Sequence, residues 1–286
     1  MKGMLKGCNM QNLDIKDIQE VSLDILKRVD SFCKSNGIRY FLDSGTLLGA
    51  ARSKGFIPWD DDIDLVMPRP DYSKFEKEFI DSAEYKLFAP SKGNCLLPYA
   101  RVCDINRTYS KSRAMWTKEK PGVGIDIFPL DGAPDTVEEF DELSDEFVLL
   151  RNDLWRLRYA ITPRPLTICH PIEVLKEVAH ACRRRILGAS INRDIEITLC
   201  SLLKLQARYD YTQSSMCYYI GVNSGRRKYW RKEWFEEELK LEFCGGVYPA
   251  PKGYDERLTA EYGDWQMPPP DSCKQDHVNI QTVYWR

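Results

Sequence analysis

YFLDSGTLLGAARSKGFIPWDDDIDLVMPRPD, residues 40–71, is the stretch around which the rest of the chain is organised. An apolar run, residues 38–42, leads into the turn Asp43-Ser44-Gly45-Thr46, and a compact apolar segment follows. This order predicts a strand, a tight turn and a short helix. Because a helix N-terminus presents unpaired backbone N–H groups and Gly45 has no side chain, the turn is suited to close binding of a phosphate.

A run of carboxylates follows, in which acidic and apolar residues alternate from Asp62 to Leu65. Side chains two apart on a strand share a face, so Asp62 and Asp64 are predicted to point together and Ile63 toward the core. Neighbouring carboxylates repel each other, and a bound cation relieves the repulsion. Oxygen ligands favour Mg²⁺, with Mn²⁺ as the alternative, and such ions act on phosphates. A solvated acidic loop is the other interpretation, which the apolar and aromatic residues around the run disfavour.

A third carboxylate, Asp126, lies between β-branched residues in a predicted strand at residues 124–128. Such an Asp is costly unless something pairs with it, and a neighbouring strand would let it share a cation with Asp62 and Asp64. Asp131, further on, is predicted to be a turn or capping residue.

Arg101 lies in the second of two apolar patches, residues 85–88 and 96–102, which are predicted to form a hairpin or two strands. A charged residue inside an apolar strand is either an edge residue facing water or a ligand contact, and the sequence leaves both open.

Helices are predicted from apolar residues three or four apart. Gly37 is the expected C-cap of the first helix, Asp71 the expected cap of the second, and Ile80 the last residue of the second helix's buried face. The predicted helices cover residues 13–36, a segment starting at residue 70, and residues 136–157, 172–207 and 254–262.

Composition narrows the function classes. The 286 residues carry a net charge of −2, which gives no global basic field, so nucleic acid is not favoured as a partner. The cysteines form no CxxC pairs and the N-terminus has no apolar signal-peptide core, which predicts a cytoplasmic protein with reduced thiols. No apolar run reaches the ~20 residues of a membrane span, so the chain is predicted to be soluble or peripheral.

Three further features receive no catalytic role. The three histidines, His170, His180 and His277, are too dispersed to suggest a zinc site. Arg183-Arg184-Arg185 is interpreted as a solvated face or a helix C-terminus. The alternative is contact with anionic lipid headgroups, and so a peripheral membrane contact, or with a polyphosphate acceptor. Residues 217–247 are rich in aromatic and basic types, which form a core or a cation-binding cage.

The motifs resemble a known family. FLDSGTLLGAARSKGFIPWDDDIDLVMPRPDY, residues 41–72, is similar to the signature of the LicD family of phosphocholine transferases, which are related to fukutin and have the nucleotidyltransferase fold. The likeness continues through GVGIDIFPLDGAPD, residues 122–135, and YPAPKGYDERLTAEYGDWQMPPP, residues 248–270. The family commonly follows a Pro-Pro pair with an Arg and paired histidines, whereas this chain has Lys274 and His277, so His277 is given no role.

The resemblance implies an α/β (α+β) fold, a nucleotidyltransferase-type mixed sheet flanked by helices, with an additional mostly helical C-terminal part. Residues 1–135 would form the catalytic core, and residues 136–286 a helical, acceptor-side region packed on it. Asp62, Asp64 and Asp126 would be the catalytic and metal-binding residues, with Asp126 matching the family's third carboxylate. The residues expected to bind substrate are Asp43, Ser44, Gly45, Thr46, Arg52, Lys54, Asp60 and Arg101.

The implied reaction is Mg²⁺-dependent transfer of phosphocholine from CDP-choline to a hydroxyl of a cell-surface glycan or teichoic-acid-type acceptor, including a lipid-linked glycan, with release of CMP. Three alternatives remain open. The donor could carry another CDP-linked alcohol phosphate (ribitol phosphate, glycerol phosphate or phosphoethanolamine), the nucleotide itself could be transferred with release of pyrophosphate, or the chain could bind nucleotides without catalysis.

Overall fold

The computed structural model describes residues 11–110, 121–161, 171–220, 229–268 and 283–286. Within this part of the chain, helices cover and flank a central mixed sheet. The helices are α1 (Ile15–Asn36), α2 (Ser44–Ser53), α3 (Arg69–Glu78), α4 (Val137–Ile161), α5 (Pro171–Gln206) and α6 (Tyr254–Tyr262). The side chains of Arg183-Arg184-Arg185 and of all three histidines, together with Lys274, lie outside what the structure describes.

The strands form one large sheet and two small ones. The strands are β1 (Phe41–Leu42), β2 (Asp64–Pro68), β3 (Tyr85–Phe88), β4 (Ala100–Asp104), β5 (Thr108–Ser110), β6 (Gly124–Ala133), β7 (Met216–Tyr218), β8 (Tyr229–Arg231), β9 (Glu238–Phe243), β10 (Gly246–Pro251) and β11 (Val283–Trp285). The large sheet has the order β1-β2-β6-β4-β3, and β7 and β8 extend it from the far end of β6. The predicted α/β class, with a mixed sheet flanked by helices, is confirmed.

The first helix shows how local sequence signals produce this architecture. Asp14 and Asp17 form a reciprocal capping box at its start, and Gly37 ends it with φ +60°, a left-handed conformation that glycine adopts without penalty. The face predicted from the sequence, which packs into the main core, is buried: Ile18, Val21, Ile25, Val29 and Phe32.

The acidic strand begins later than the sequence pattern suggests. β2 starts at Asp64, so Asp62 lies just before the strand. The predicted alternation nevertheless holds, since Ile63 and Leu65 are fully buried while Asp62 and Asp64 are partly exposed. β2 runs parallel to β6, with Asp64 directly opposite Asp126, and the Asp126 amide donates to the Ile63 carbonyl (2.9 Å). The predicted proximity of the two acidic strands is therefore confirmed.

Three expectations about single residues are wrong. Asp71 does not cap α3 with its side chain, because its carboxylate instead accepts from the backbone and guanidinium of Arg39. Asp131 is no turn residue: it lies within β6, almost fully buried, and forms an ion pair with Arg69. Ile80 lies just beyond the end of α3 and is 69% exposed.

Strand boundaries also differ from the prediction. β4 starts four residues after the start of the predicted strand at 96–102, and β1 has two residues instead of five. Leu96 is partly buried, and the other apolar residues of the two predicted strands are buried, because segments next to a strand can pack in the core without forming ladder hydrogen bonds.

The second half of the chain contributes both helices and strands. α4 and α5 pack against each other over a hydrophobic cluster that also includes Tyr218 of β7. α6 packs against α2, close to the Gly turn. Among the described residues, no helix combines the length and the apolar character that crossing a membrane requires.

The contrast between Phe75 and Ile80 provides a stability test. Phe75 is fully buried, with its ring 5.8 Å from that of Phe32 and 5.0 Å from that of Phe79. Phe75→Ala is expected to lower the free energy of unfolding in urea by about 3–5 kcal/mol, because it leaves a cavity in the core. Ile80→Ala, the matched control, should change it by less than about 0.5 kcal/mol. A large decrease in the free energy of unfolding for Ile80→Ala would show that Ile80 belongs to the buried helix face, as predicted from the sequence.

Candidate active site

Two hydrogen bonds tie the turn between β1 and α2 to the start of β2. The amide of Asp43 donates to the carbonyl of Asp64 (3.1 Å), and the amide of Asp64 donates to Oγ1 of Thr46 (2.9 Å). Since both bonds involve Asp64, the N-terminus of α2 is held against the strand that carries the carboxylates. The phosphate-binding turn and the acidic strand predicted from the sequence therefore meet.

The side chain of Asp43 is turned away from the helix that it precedes. It occupies the N-cap position of α2 but makes no side-chain capping hydrogen bond. The carboxylate is fully buried, and its Oδ2 accepts from the hydroxyl of Tyr219 and from the guanidinium of Arg257, each at 2.7 Å. Because the first N–H groups of a helix have no partner within the helix, the N-terminus of α2 is suited to bind an anion.

Ser44, the first residue of α2, has φ +48°, in the left-handed region. That conformation costs an L-residue about 1–2 kcal/mol. Its hydroxyl lies 2.8 Å from the hydroxyl of Tyr219, which helps to hold the turn in this form. Backbone strain of this kind concentrates at functional sites.

Three consecutive carboxylates form a cluster beside this turn. Asp60, Asp61 and Asp62 each offer an oxygen, and these oxygens lie within 4.8 Å of one another. Gln19 of α1 fixes the backbone here by donating to the Asp60 carbonyl (2.7 Å). Burial, and next the charge of Asp62, raise the pKa of Asp60 to about 8. A hard divalent cation would relieve this repulsion, and the oxygen donors suit Mg²⁺ or Mn²⁺.

Asp126 is the acidic residue on the strand next to Asp64. Burial raises its pKa to about 6; the charge of Arg101 opposes the rise and that of Asp62 adds to it. Asp62 therefore acts electrostatically on both the three-residue cluster and Asp126.

Arg101 lies on β4, between β3 and β6, and is 7% exposed. It forms an ion pair with Asp126, the residue opposite it in the sheet, and its Nη2 donates to the carbonyl of Gly124 (3.0 Å). The edge position facing water, one of the two interpretations of Arg101, is wrong. A shallow opening at this point is lined by Asp61, Asp62 and Arg101, with Ile18, Val123, Gly124 and Val283.

Comparison with known proteins shows which family these motifs resemble. Residues 37–156 match the model of the LicD/FKTN/FKRP nucleotidyltransferase domain. Residues 37–156 form a LicD-family domain. The match covers the turn, the acidic cluster, Arg101 and Asp126.

Individual relatives support this identification. The lipopolysaccharide cholinephosphotransferase LicD of Haemophilus influenzae is 28% identical over 96% of this chain and 99% of its own length. The ribitol 5-phosphate transferases FKRP of mouse and human are 49% identical over 41 residues, which are 14% of this chain and 8% of theirs. The predicted family resemblance and the predicted enzyme class, a phosphotransferase, are confirmed.

The LicD domain does not bring every predicted site residue together. Arg52 and Lys54 lie at the C-terminal end of α2, opposite the end that meets the acidic strand. Arg52 donates to the carbonyl of Trp265 (3.5 Å), and Lys54 pairs with Glu242 at the surface (3.0 Å). The remaining predicted residues gather around the turn and the two acidic strands: Asp43, Ser44, Gly45, Thr46, Asp60, Asp62, Asp64, Arg101 and Asp126.

Residues outside the matched LicD segment support the turn, and sequence reasoning gave them no role there. Tyr219 and Arg257 contact Asp43, and Tyr219 and Trp230 are buried in the core. For these two aromatics, the core interpretation of residues 217–247 is confirmed. The distance in sequence, 214 residues between Asp43 and Arg257, leaves no local signal for the contact.

A methyl group added at Gly45 and one added at Gly49, both in α2, are expected to have different effects. A Cβ on Gly45 would lie 2.3 Å from Oδ2 of Asp60, whereas a Cβ on Gly49 would lie 2.3 Å from the backbone carbonyl oxygen of Gly55. A carboxylate can rotate away but a backbone carbonyl cannot. Gly45→Ala should therefore weaken Mn²⁺ binding about tenfold or more with little loss of stability, because it displaces the Asp60 carboxylate.

Gly49→Ala is the matched control. It should lower the free energy of unfolding by about 1–3 kcal/mol and leave the Mn²⁺ affinity of the folded protein unchanged. Calorimetric titration and urea unfolding of both variants provide the measurements. Equal Mn²⁺ affinity in Gly45→Ala and the parent protein would remove Asp60 from the cation site.

The raised pKa of Asp60 predicts a pH dependence of cation binding. At pH 7 this carboxyl group is mostly protonated, and a cation must displace the proton. Mn²⁺ affinity should therefore increase from pH 6 to pH 8, and binding at pH 7 should release a proton. Titrations in buffers of different ionisation enthalpy measure that release. Asp60→Asn should abolish the part of the release that comes from this residue; an unchanged release would contradict the assignment.

Proposed function

We propose that this protein transfers phosphocholine from CDP-choline to a hydroxyl of a cell-surface glycan or teichoic-acid-type acceptor, with Mg²⁺ as cofactor and CMP as the leaving product. The observation that carries the proposal is the convergence of a helix N-terminus with the carboxylates of two parallel strands in a LicD-family domain. Choline is preferred as the donor alcohol because the similarity to the H. influenzae cholinephosphotransferase extends over nearly the whole of both chains.

The carboxylates fit the proposed metal. Asp60, Asp61 and Asp62 supply clustered oxygen donors, and Asp64 and Asp126 face each other across neighbouring strands. The metal residues are proposed to be Asp62, Asp64 and Asp126. Among the described residues, the acidic oxygens already within 4.8 Å of one another are those of Asp60, Asp61 and Asp62, so Asp62 belongs to both sets. Mg²⁺ bound there would neutralise the donor diphosphate and stabilise the charge that develops on the departing CMP.

The residues of the chain then have distinct roles. The backbone N–H groups of Ser44, Gly45 and Thr46 hold the donor phosphate at the start of α2. Asp126 accepts the proton of the acceptor hydroxyl, for which a pKa of about 6 leaves it ionised at neutral pH. The acceptor oxygen forms a bond to the phosphorus of phosphocholine, the bond from that phosphorus to the CMP oxygen breaks, and CMP leaves.

Arg101 keeps Asp126 in place for this step. Its ion pair with Asp126 and its hydrogen bond to Gly124 fix the carboxylate relative to β6. Arg101 also lines the opening beside Asp61 and Asp62, which supports a second proposed role for it, contact with a phosphate oxygen of the donor.

Transfer of ribitol phosphate from its CDP-linked donor is the second candidate. It is favoured by the 49% identity to the FKRP proteins, which extends over 41 residues, a short segment of each chain. Incubation with CDP-choline, CDP-ribitol, CDP-glycerol or CTP, each with Mg²⁺ and with chelator, distinguishes the candidates. Metal-dependent release of CMP from CDP-choline in the presence of acceptor is expected, and a preference for CDP-ribitol would favour the second candidate. Release of pyrophosphate from CTP would indicate nucleotidyl transfer, and no turnover of any donor would contradict catalysis.

Substitution of Asp62, just before β2, and of Asp64, its first residue, tests the proposed mechanism. Asp62→Asn and Asp64→Asn should each lower kcat about a thousandfold, since several kcal/mol of charge stabilisation depend on the cation that they hold. Asp71→Asn, which changes an acidic residue paired with Arg39 on α3, is the matched control and should retain activity. Normal turnover by a folded Asp64→Asn protein would overturn the metal role.

A further inference from the structure

The guanidinium group of Arg257 is fully buried next to the turn at Asp43, which is proposed to bind the donor phosphate. Arg257, on α6, has no solvent exposure, and its Nη2 lies 2.7 Å from Oδ2 of Asp43. Its Nη1 lies 2.5 Å from Oε2 of Glu261, one helical turn further on. The guanidinium carbon lies 4.0 Å from the centre of the Trp230 ring, a cation–π geometry. Arg257 therefore joins α6, β8 and the turn in one buried contact.

Tyr219 completes the same arrangement from the other side. Its hydroxyl donates to Oδ2 of Asp43 and lies 2.8 Å from the hydroxyl of Ser44. Its ring stacks on that of Phe128, in β6, with the ring centres 4.7 Å apart. The turn is thus linked through a rigid aromatic pair to the strand that carries Asp126.

These contacts give Asp43 a role different from substrate binding. Its carboxylate is fully buried, so it cannot touch a donor phosphate in this conformation. A buried carboxylate without a cation is strongly disfavoured, and Arg257 supplies the cation. With its side chain directed toward Arg257, Asp43 leaves the N–H groups of α2 uncapped and fixes the backbone just before the strained Ser44.

We propose that Arg257 is a positioning residue for the donor site: by holding Asp43, it fixes the turn at Ser44 so that the N-terminus of α2 is directed at the donor diphosphate. The inference rests on the proposed function for its substrate. Arg257 itself does not touch the substrate, and α6 completes the site from a position far along the chain.

The structure offers a matched control for the loss of a buried ion pair. Arg69 pairs with Asp131, whose side chain is as buried as that of Asp43, but this pair lies at the other end of β6, away from the turn. Arg257→Met leaves Asp43 and also Glu261 without their cation, and Arg69→Met leaves Asp131 without its cation. Both should therefore reduce thermal stability, and only the first should change the turn.

The first measurement is hydrogen exchange of the three amides whose hydrogen bonds hold the turn, those of Asp43, Leu47 and Asp64. This measurement is independent of any substrate. Exchange should become faster in Arg257→Met than in Arg69→Met at a temperature chosen to give the two variants equal folded fractions. Equal exchange in the two variants would overturn the proposal. Arg257→Lys keeps the charge but cannot contact Asp43 and Glu261 with the same fork, so it should show a smaller effect in the same direction and serves if Arg257→Met does not fold.

The second measurement is the affinity for CDP-choline and for Mn²⁺. Arg257→Met should weaken donor binding about 10- to 100-fold, the usual effect of removing a residue that orients a site, with Mn²⁺ affinity nearly unchanged. Arg69→Met should leave both affinities close to those of the parent protein. Equal donor affinity in the two variants would contradict the positioning role. If the parent protein binds no CDP-linked donor, the proposed function fails, and the exchange measurement still decides whether Arg257 fixes the turn.

Discussion

The accumulation of negative charge beside β2 is the constraint on which the rest of the structure depends. Asp60, Asp61 and Asp62 crowd their oxygens together, and Asp126 lies partly buried on the adjacent strand. Burial is the largest cause of the raised pKa values of Asp60 and Asp126, and the charge of Asp62 raises both further. A cation bound among these carboxylates would relieve their repulsion, and an anionic substrate would then be held by the cation and not by the carboxylates.

The fold holds these carboxylates close to one another at fixed separations. The parallel pairing of β2 and β6 sets Asp64 opposite Asp126, and the ladder fixes their separation. Ile63, Leu65, Ile125 and Ile127 anchor the same two strands in the core. The hydrophobic face of each strand therefore stabilises the position of its acidic face, so the energy that disfavours the site is offset by burial on the other side of the sheet.

Local sequence signals were sufficient for elements whose interactions are local. The C-cap at Gly37 and the alternation around Ile63 were both predicted, and both are what the structure shows. The predictions that failed share a cause: the side chain pairs with a residue distant in the sequence, which local patterns do not reveal. Asp71 has a free helix N-terminus nearby and pairs instead with Arg39, and Asp131 follows a proline yet pairs with Arg69 inside a strand. Arg101 was recognised as unusual, but its partner Asp126 became clear only when the register of β4 and β6 was known.

The support of the turn shows why the site extends beyond the motif that identifies it. The family match ends at residue 156, whereas Tyr219 and Arg257, from later parts of the chain, contact Asp43. Trp230 packs against Arg257. The spacing of Arg257 and Glu261 on one helix face indicates their ion pair, but nothing in the sequence near Arg257 indicates Asp43. A segment restricted to the matched residues would leave Asp43 buried without a cation or exposed to water, and in either case Ser44 would lose the contacts that hold its strained backbone. The acidic motif supplies the charges, and the distant helix α6 determines whether the turn beside them keeps its conformation.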